Sequence, residues 1–418
     1  MSSEPVPIEI VADVDAATDQ RRSIVWGDHA SGAGMITNCA WNFAEFGPMT
    51  DAALTLARVG SAIFIADRGV RRNELRQRRE MHLIVPVPDP ALGSAASSSL
   101  EALAGFVTGD SWRIEFEPDS SAIGSPSDRL FEAEEVSLLS GGLDSFCGAL
   151  IGGTEDRLFL SHNDASVIKY SQNQSIGLIP GLEPEQHIDV RLTARHRFNR
   201  EASRRSRSIL FMAIGVALAD AAGASTLEIP ENGFTSLNPP LASNRGGVLT
   251  TRSTHPYTFH LANVVLEDLG LDVALRNPYE WATKGELVAL AVDAVGNDVV
   301  SAGMSHTLSC AKSNLILKGK TYGRNCGLDY ACIVRRAGIR AAGIADTTVY
   351  ECDTASLRQH VIQHRRKDVA AVKFARQSEP SIAKLAAGCG PFPPGYNFDR
   401  ALDLWKRAQR ELCDLPLP

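Results

Sequence analysis

Two clusters in this 418-residue chain hold residue types that can do chemistry. The first is Ser140-Gly141-Gly142-Leu143-Asp144-Ser145, directly after the apolar run Val136-Ser137-Leu138-Leu139. Adjacent glycines let a backbone approach a bound group with no Cβ in the way. Ser140 and Ser145 bracket the turn with hydroxyls. A helix starting beyond it would aim its free N–H groups and its dipole at an anion above the turn. Strand, Ser/Gly loop and helix start together make a phosphate cradle. It is not a Walker loop, because no Gly-Lys-Ser/Thr ending follows. The plain alternative is a serine-rich turn between a strand and a helix.

The second cluster is Cys310 with Cys326, Asp329 and Cys332. The C-x2-D-x2-C spacing turns three side chains inward on a knuckle or first helical turn, and Cys310 arrives from a separate segment. Four ligands suit a closed tetrahedral zinc site. Asp329 is favoured as the fourth ligand over nearby His306. The competing reading is three buried reduced cysteines.

Elements that position the first cluster follow from the pattern. From 131 onward strands and helices alternate, which predicts a doubly wound parallel sheet. Ligands then sit outside the carboxyl ends of the strands. His162 and Asn163 fall at the carboxyl end of the strand Arg157–His162, and Ser161 and His162 are candidate cofactor contacts. Glu231 to Pro240 follows the strand Thr226–Pro230; Glu231, Asn232, Phe234 and Asn238, with His255 further on, are candidate contacts for a purine-like heterocycle. Arg195, His196, Arg197, Arg200, Arg204, Arg205 and Arg207 precede a long apolar helix from Ser208. They are either a solvated face or cations around a polyphosphate. Lys284 either reaches a phosphate or stays on the surface.

Residues 1–130 form an expected α/β accessory unit, with a helix over 51–59, strands at 62–66, 81–87 and 112–116, and a linker over 117–130. Asp28 and His29 read as turn residues. Residues 131–345 hold the sheet and the cysteines, and 346–418 a helical extension. The chain is 44% hydrophobic with a net charge of −7. That balance argues against nucleic-acid binding driven by bulk charge. No run of about 18 apolar residues suggests a membrane span. The N-terminal residues lack a secretory pattern, and three of the eight cysteines fall within 23 residues, so a cytoplasmic, reducing setting is expected.

Ser140-Gly141-Gly142-Leu143-Asp144-Ser145 is similar to the pyrophosphatase loop of the N-type ATP pyrophosphatases. Together with Ser309-Cys310 and Cys326-Gly327…Cys332-x-x-Arg335 it resembles the 7-cyano-7-deazaguanine synthase family, QueC, over about residues 133–345. The N-terminal unit, Glu231–Pro240 and Ser253-Thr254-His255-Pro256 look like the longer QatC-type branch of anti-phage systems. The resemblance implies a PP-loop (HUP-like) domain using ATP and Mg2+, with a structural Zn2+. It implies adenylation of 7-carboxy-7-deazaguanine on its carboxylate, then amide formation with an amine at a partner protein's N-terminus. Ser140, Gly141, Gly142, Leu143, Asp144, Ser145, Ser161, His162 and Arg207 would hold the nucleotide. Asp144, Ser145, Arg205 and Lys284 would carry the catalysis. Alternatives are nitrile synthesis from ammonia and a non-catalytic module sensing ATP. The family's third clustered cysteine falls on Asp329 here.

Overall fold

The computed structural model describes residues 7–11, 22–26, 34–72, 78–119, 131–164, 166–195, 201, 203–239, 252–310 and 324–418. Asp28, His29, His196, Arg197, Arg200, most of the expected linker and residues 240–251 lie outside that set.

The strands are β1 (Ile8–Val11), β2 (Arg22–Val25), β3 (Met35–Thr37), β4 (Glu80–Val87), β5 (Ser111–Pro118), β6 (Glu135–Leu138), β7 (Arg157–Asn163), β8 (His187–Ala194), β9 (Thr226–Glu228) and β10 (Ala274–Arg276). The helices are α1 (Asp51–Gly69), α2 (Pro90–Ala95), α3 (Ser97–Thr108), α4 (Leu143–Gly152), α5 (Ser166–Ile176), α6 (Arg207–Ala222), α7 (Gly233–Leu237), α8 (Pro256–Leu269), α9 (Lys284–Val295), α10 (Asn297–Met304), α11 (Tyr330–Ala341), α12 (Arg358–Gln377), α13 (Ile382–Cys389) and α14 (Phe398–Asp414).

A four-stranded parallel sheet runs β2-β1-β4-β5. A six-stranded sheet runs β10-β9-β6-β7-β8-β3, parallel except for β3. All seven residues of β7 are buried, as a strand covered on both faces requires. Its side chains alternate: Leu158 and Leu160 enter one hydrophobic core, Phe159 the core on the other face. The chain builds β6, β7 and β8 outward on one side, then returns to place β9 and β10 on the other. The strand order therefore reverses beside β6, and the Ser-Gly-Gly loop leaves the carboxyl end of that strand. Crevices at such switch points are where open α/β sheets bind ligands.

The chain differs from expectation at 62–66, which is helix. Asp51–Gly69 is one 19-residue helix, capped where Thr50 accepts a bond from the Ala53 N–H. Its apolar run is buried all round, because α6 covers one side and β4 and β8 lie nearby. Such a run fits a buried helix as well as a strand, so periodicity alone could not decide. Gly60 is a packing residue: a Cβ there would overlap that of Ala213 in α6. The turn at 279–282 belongs to no helix, since Thr283 and Glu286 form a capping box that starts α9 at Lys284.

The described residues between 7 and 119 pack against the rest of the chain. β3 pairs antiparallel with β8, Met35 opposite Ala194. The α1, α6 and α8 side chains join one continuous core. A buried ionic cluster completes the joint. Asp110 accepts from both Arg72 guanidinium nitrogens at 2.7 and 2.6 Å and from Arg79 at 2.6 Å. Asp67 accepts from Arg79 and, at 2.7 Å, from Ser206 at the foot of α6. Among the described residues no helix is long and apolar enough to cross a membrane.

Replacing Gly60 by leucine should force α1 from α6 and destabilise the protein by about 1–3 kcal/mol, the usual cost of overpacking. Urea unfolding monitored by tryptophan fluorescence measures it; an unchanged midpoint would refute close packing there.

Candidate functional site

The loop folds on itself through its two serines. The Ser140 N–H donates to Ser145 Oγ at 3.1 Å, the two hydroxyl oxygens lie 3.0 Å apart, and Ser145 Oγ donates to the Gly142 carbonyl at 3.2 Å. Gly141 has φ +82°, and a Cβ there would sit 2.8 Å from Gln172 Cγ, so only glycine fits. α4 then begins at Leu143, with Gly142 as its N-cap and no side chain capping it. Its first N–H groups are left for a ligand. The Leu143 side chain turns away into the hydrophobic core, so Leu143 offers a ligand only its backbone N–H, the first of α4.

Above the loop lies a cavity of about 210 Å3. Ser140, Gly141 and Gly142 form its floor, Arg204 and Arg207 one wall, and Leu308, Ser309 and Cys310 the other. The Leu308 N–H donates to the Gly141 carbonyl at 2.9 Å, which fastens the second wall to the loop. Ser171 Oγ bridges the Gly141 and His306 carbonyls at 3.2 and 2.6 Å. The arrangement suits a compact polyanion: hydroxyls and amides below, guanidinium groups beside.

His162 serves this wall from behind. Its ring is fully buried, edge-on to Phe64 and Phe211. Nε2 lies 2.9 Å from the Leu192 carbonyl, which can only accept, so Nε2 carries the proton. Nδ1 then accepts from Arg207 Nε at 3.3 Å, and the His162 carbonyl accepts from Arg207 Nη2 at 2.9 Å. Burial, then the charge of Arg207, pushes the imidazole pKa down to about 3. His162 therefore positions Arg207 and touches no ligand. Ser161 is likewise buried, donating to the Leu139 carbonyl at 2.7 Å beneath the loop. Arg205, expected to face phosphate, turns instead to the N-terminal ionic cluster, with Nη1 on the Thr108 carbonyl at 2.9 Å.

Asp144 lies in the first turn of α4, beneath the loop. One oxygen pairs with Lys284; the other accepts from Asn232 N at 3.1 Å and Asn232 Nδ2 at 2.7 Å. Burial alone would raise its pKa, but the Lys284 charge and these bonds hold it well below the usual carboxylate range. Glu231 is half-buried beside it, 3.0 Å from Asn232 Nδ2, and burial and the Asp144 charge push its carboxyl well above the ordinary value. The expected heterocycle residues are thus structural here. Asn232 caps α7, Phe234 is buried in the second helical core, and Asn238 ends α7 in the left-handed region at φ 43°. His255 caps α8, its Nδ1 accepting from the Tyr257 N–H, between Phe106 and Phe392.

The metal candidates do meet. One ligand atom each from Cys310, Cys326, Asp329 and Cys332 lies within 4.8 Å of the others, all buried. Sulfur atoms bound tetrahedrally to zinc at about 2.3 Å sit ~3.8 Å apart; Cys326 Sγ and Cys332 Sγ are 4.0 Å apart. Asp329 divides its oxygens. Oδ1 accepts the Cys332 N–H at 2.8 Å and caps α11, while Oδ2 is 3.2 Å from Cys310 Sγ. It can therefore serve as a one-oxygen ligand. His306 is exposed and outside the cluster. The donor set fits zinc.

Sequence reasoning gave no role to Asn325, Arg335 or Ser171. Asn325 Oδ1 accepts the Ser309 and Cys310 N–H groups at 2.8 and 3.1 Å. Arg335 is fully buried and donates to Thr307 Oγ1 at 2.6 Å and Ser309 Oγ at 3.2 Å. Both hold the second wall, and only their adjacency to the cysteine pattern signalled it.

Two outcomes are expected. The purified protein should carry one equivalent of zinc by elemental analysis; Cys332→Ser should lose it and melt earlier, whereas Asp329→Cys should keep it. Equal metal content in all three would refute the site. In addition, His162 titrates near 6.5 when unfolded but near 3 when folded. The unfolded chain binds the extra proton between those values, so stability falls as pH drops from about 6.5 toward 3. His162→Asn should flatten that fall in acid unfolding curves, without removing the parallel contributions of His187 and His255, also lowered. No protein-family model matches this chain, and no curated protein matches it.

Proposed function

We propose that the chain is an ATP-dependent carbon–nitrogen ligase that releases AMP and pyrophosphate at the Ser140–Ser145 loop. One observation carries the reading: a Ser/Gly loop, an uncapped helix start and two arginines converge on one cavity at the sheet's switch point. That is the chemistry a pyrophosphate leaving group requires. The sheet order and the loop sequence support a PP-loop domain; the resemblance of the loop and cysteine motifs to the QueC family, and of the N-terminal unit, Glu231–Pro240 and Ser253–Pro256 to its QatC-type branch, extends the reading to anti-phage defence.

In this reading a carboxylate oxygen of 7-carboxy-7-deazaguanine attacks the α-phosphorus of ATP. The α–β bridging bond breaks and pyrophosphate leaves. An amine nitrogen then attacks the acyl carbon, loses a proton, and AMP departs, giving an amide; the amine belongs to a partner protein. Ser140, Gly141, Gly142 and the α4 N–H groups hold the departing pyrophosphate, and Arg207 and Arg204 neutralise its charge. Positioning carries most of the rate. Both oxygens of Asp144 are already engaged, so it orients the loop rather than holding Mg2+. Zinc at Cys310, Cys326, Asp329 and Cys332 would cross-link the second wall.

The protein is incubated with ATP, Mg2+, 7-carboxy-7-deazaguanine and either ammonia or a partner protein, and products are read by mass spectrometry. AMP release with a mass gain on the partner is expected. Free nitrile would favour the synthase alternative, and no AMP under any condition would leave a module that only senses ATP. Arg207→Ala should lower AMP release by about 10²–10³-fold, as loss of one charge-stabilising donor does. Asp144→Ala should abolish it.

A further inference from the structure

The two groups that hold Asp144 are themselves held by one distant helix. Lys284 is the first residue of α9, and Asn232 caps α7. α14 packs on both places. Glu411 of α14 accepts from Thr283 Oγ1 and, through both its oxygens, from the Gly285 N–H at 3.2 Å. Its carboxylate thus lies on the first turn of α9, where the free N–H groups and the dipole favour an anion. Leu404, two turns earlier on α14, covers Gly233 so closely that a Cβ there would sit 2.7 Å from its Cδ2.

Room for this clamp is built into the neighbours. A Cβ on Gly285 would lie 2.6 Å from Glu411 Oε1, and one on Gly338 of α11 would lie 2.7 Å from Lys284 Cβ. The Lys284 stem therefore runs close against Gly338, its ammonium on Asp144. Arg407, one turn before Glu411, adds a second tie to Glu286 and to the Trp281 carbonyl at 3.0 Å.

We infer that α14 positions the anion-binding loop, with Glu411 as a positioning residue that acts through Lys284 on Asp144. Glu411 touches no ligand in this scheme. It fixes the register of the first turn of α9, Lys284 then fixes Asp144, and Asp144 fixes the start of α4 whose N–H groups face the cavity. As a statement about turnover, this rests on the ligase reading above; as a statement about the loop, it does not.

Glu411→Gln keeps the side-chain shape but removes the charge, and Arg410→Ala changes an exposed neighbour on the same helix as a control. Hydrogen exchange of the hydrogen-bonded amides of α4 at residues 146–150 is measured without ligand, well below the melting temperature. Faster exchange, by about tenfold, is expected in Glu411→Gln and not in Arg410→Ala. Unchanged exchange in Glu411→Gln overturns the inference, whatever the activity. Where AMP release is measurable, Glu411→Gln should lower kcat several-fold with little change in the KM for ATP, and Glu411→Asp should recover part of the loss. In a Lys284→Met background the Glu411 substitution should add nothing further; a fully multiplicative loss would show that Glu411 does not act through Lys284. Altered exchange without AMP release from the wild type would instead mark failure of the ligase reading alone.

Discussion

A carboxylate taken out of water must be partnered, and Asp144 makes that demand at the centre of the molecule. Three segments answer it: α4 carries the group, α9 brings Lys284, and the turn after β9 brings Asn232. Breaking such a pair by removing one partner is far more costly than never building it. The pair therefore does more than stabilise. It fixes where α4 begins, and with it the direction in which the uncapped N–H groups point. The cavity above is a consequence of that placement.

The same logic of buried charge joins the described residues before 120 to the rest. Asp67 and Asp110 lie among Arg72 and Arg79, with Ser206 and Arg205 arriving from the foot of α6. β3 extends the second sheet, and α1 lies along α6. The N-terminal unit thus shapes the foot of α6, the region that carries Arg204 and Arg207 to the cavity. Arg205, between those two in sequence, faces the other way. One short segment supplies both a structural joint and a wall of the cavity.

Much of this was legible in the residues. Glycine pairs, serine brackets and an apolar strand announced the loop, and the cysteine spacing announced a buried cluster that could hold a metal, including Asp329, whose Oδ1 supplies the helix cap. The alternation beyond 131 announced the parallel sheet. What failed did so for definable reasons. The run at 62–66 is apolar on every side, so it carried no period. Ser161 and His162 end a strand as expected, but strand ends beneath a loop face protein as often as ligand. Polar density at Glu231–Asn238 looked like a pocket and is instead the hydrogen-bonding of a cap, a left-handed turn and a buried carboxylate. Glu411 carried no local signal, because its role depends on a contact 128 residues away.

That distance has a consequence in time. Asp144 waits for Lys284 across 140 residues of chain, and the Glu411 contact with Thr283 spans another 128. At about 5–20 residues per second, synthesis leaves Asp144 without its cation for roughly 7–28 s. By the end of that interval the residues of β6 to β10 have all been made, but the loop above them still lacks the cation that fixes its floor. The cavity is therefore among the last parts of the molecule to be completed, because the groups that fix its floor lie on segments made after the strands beneath it.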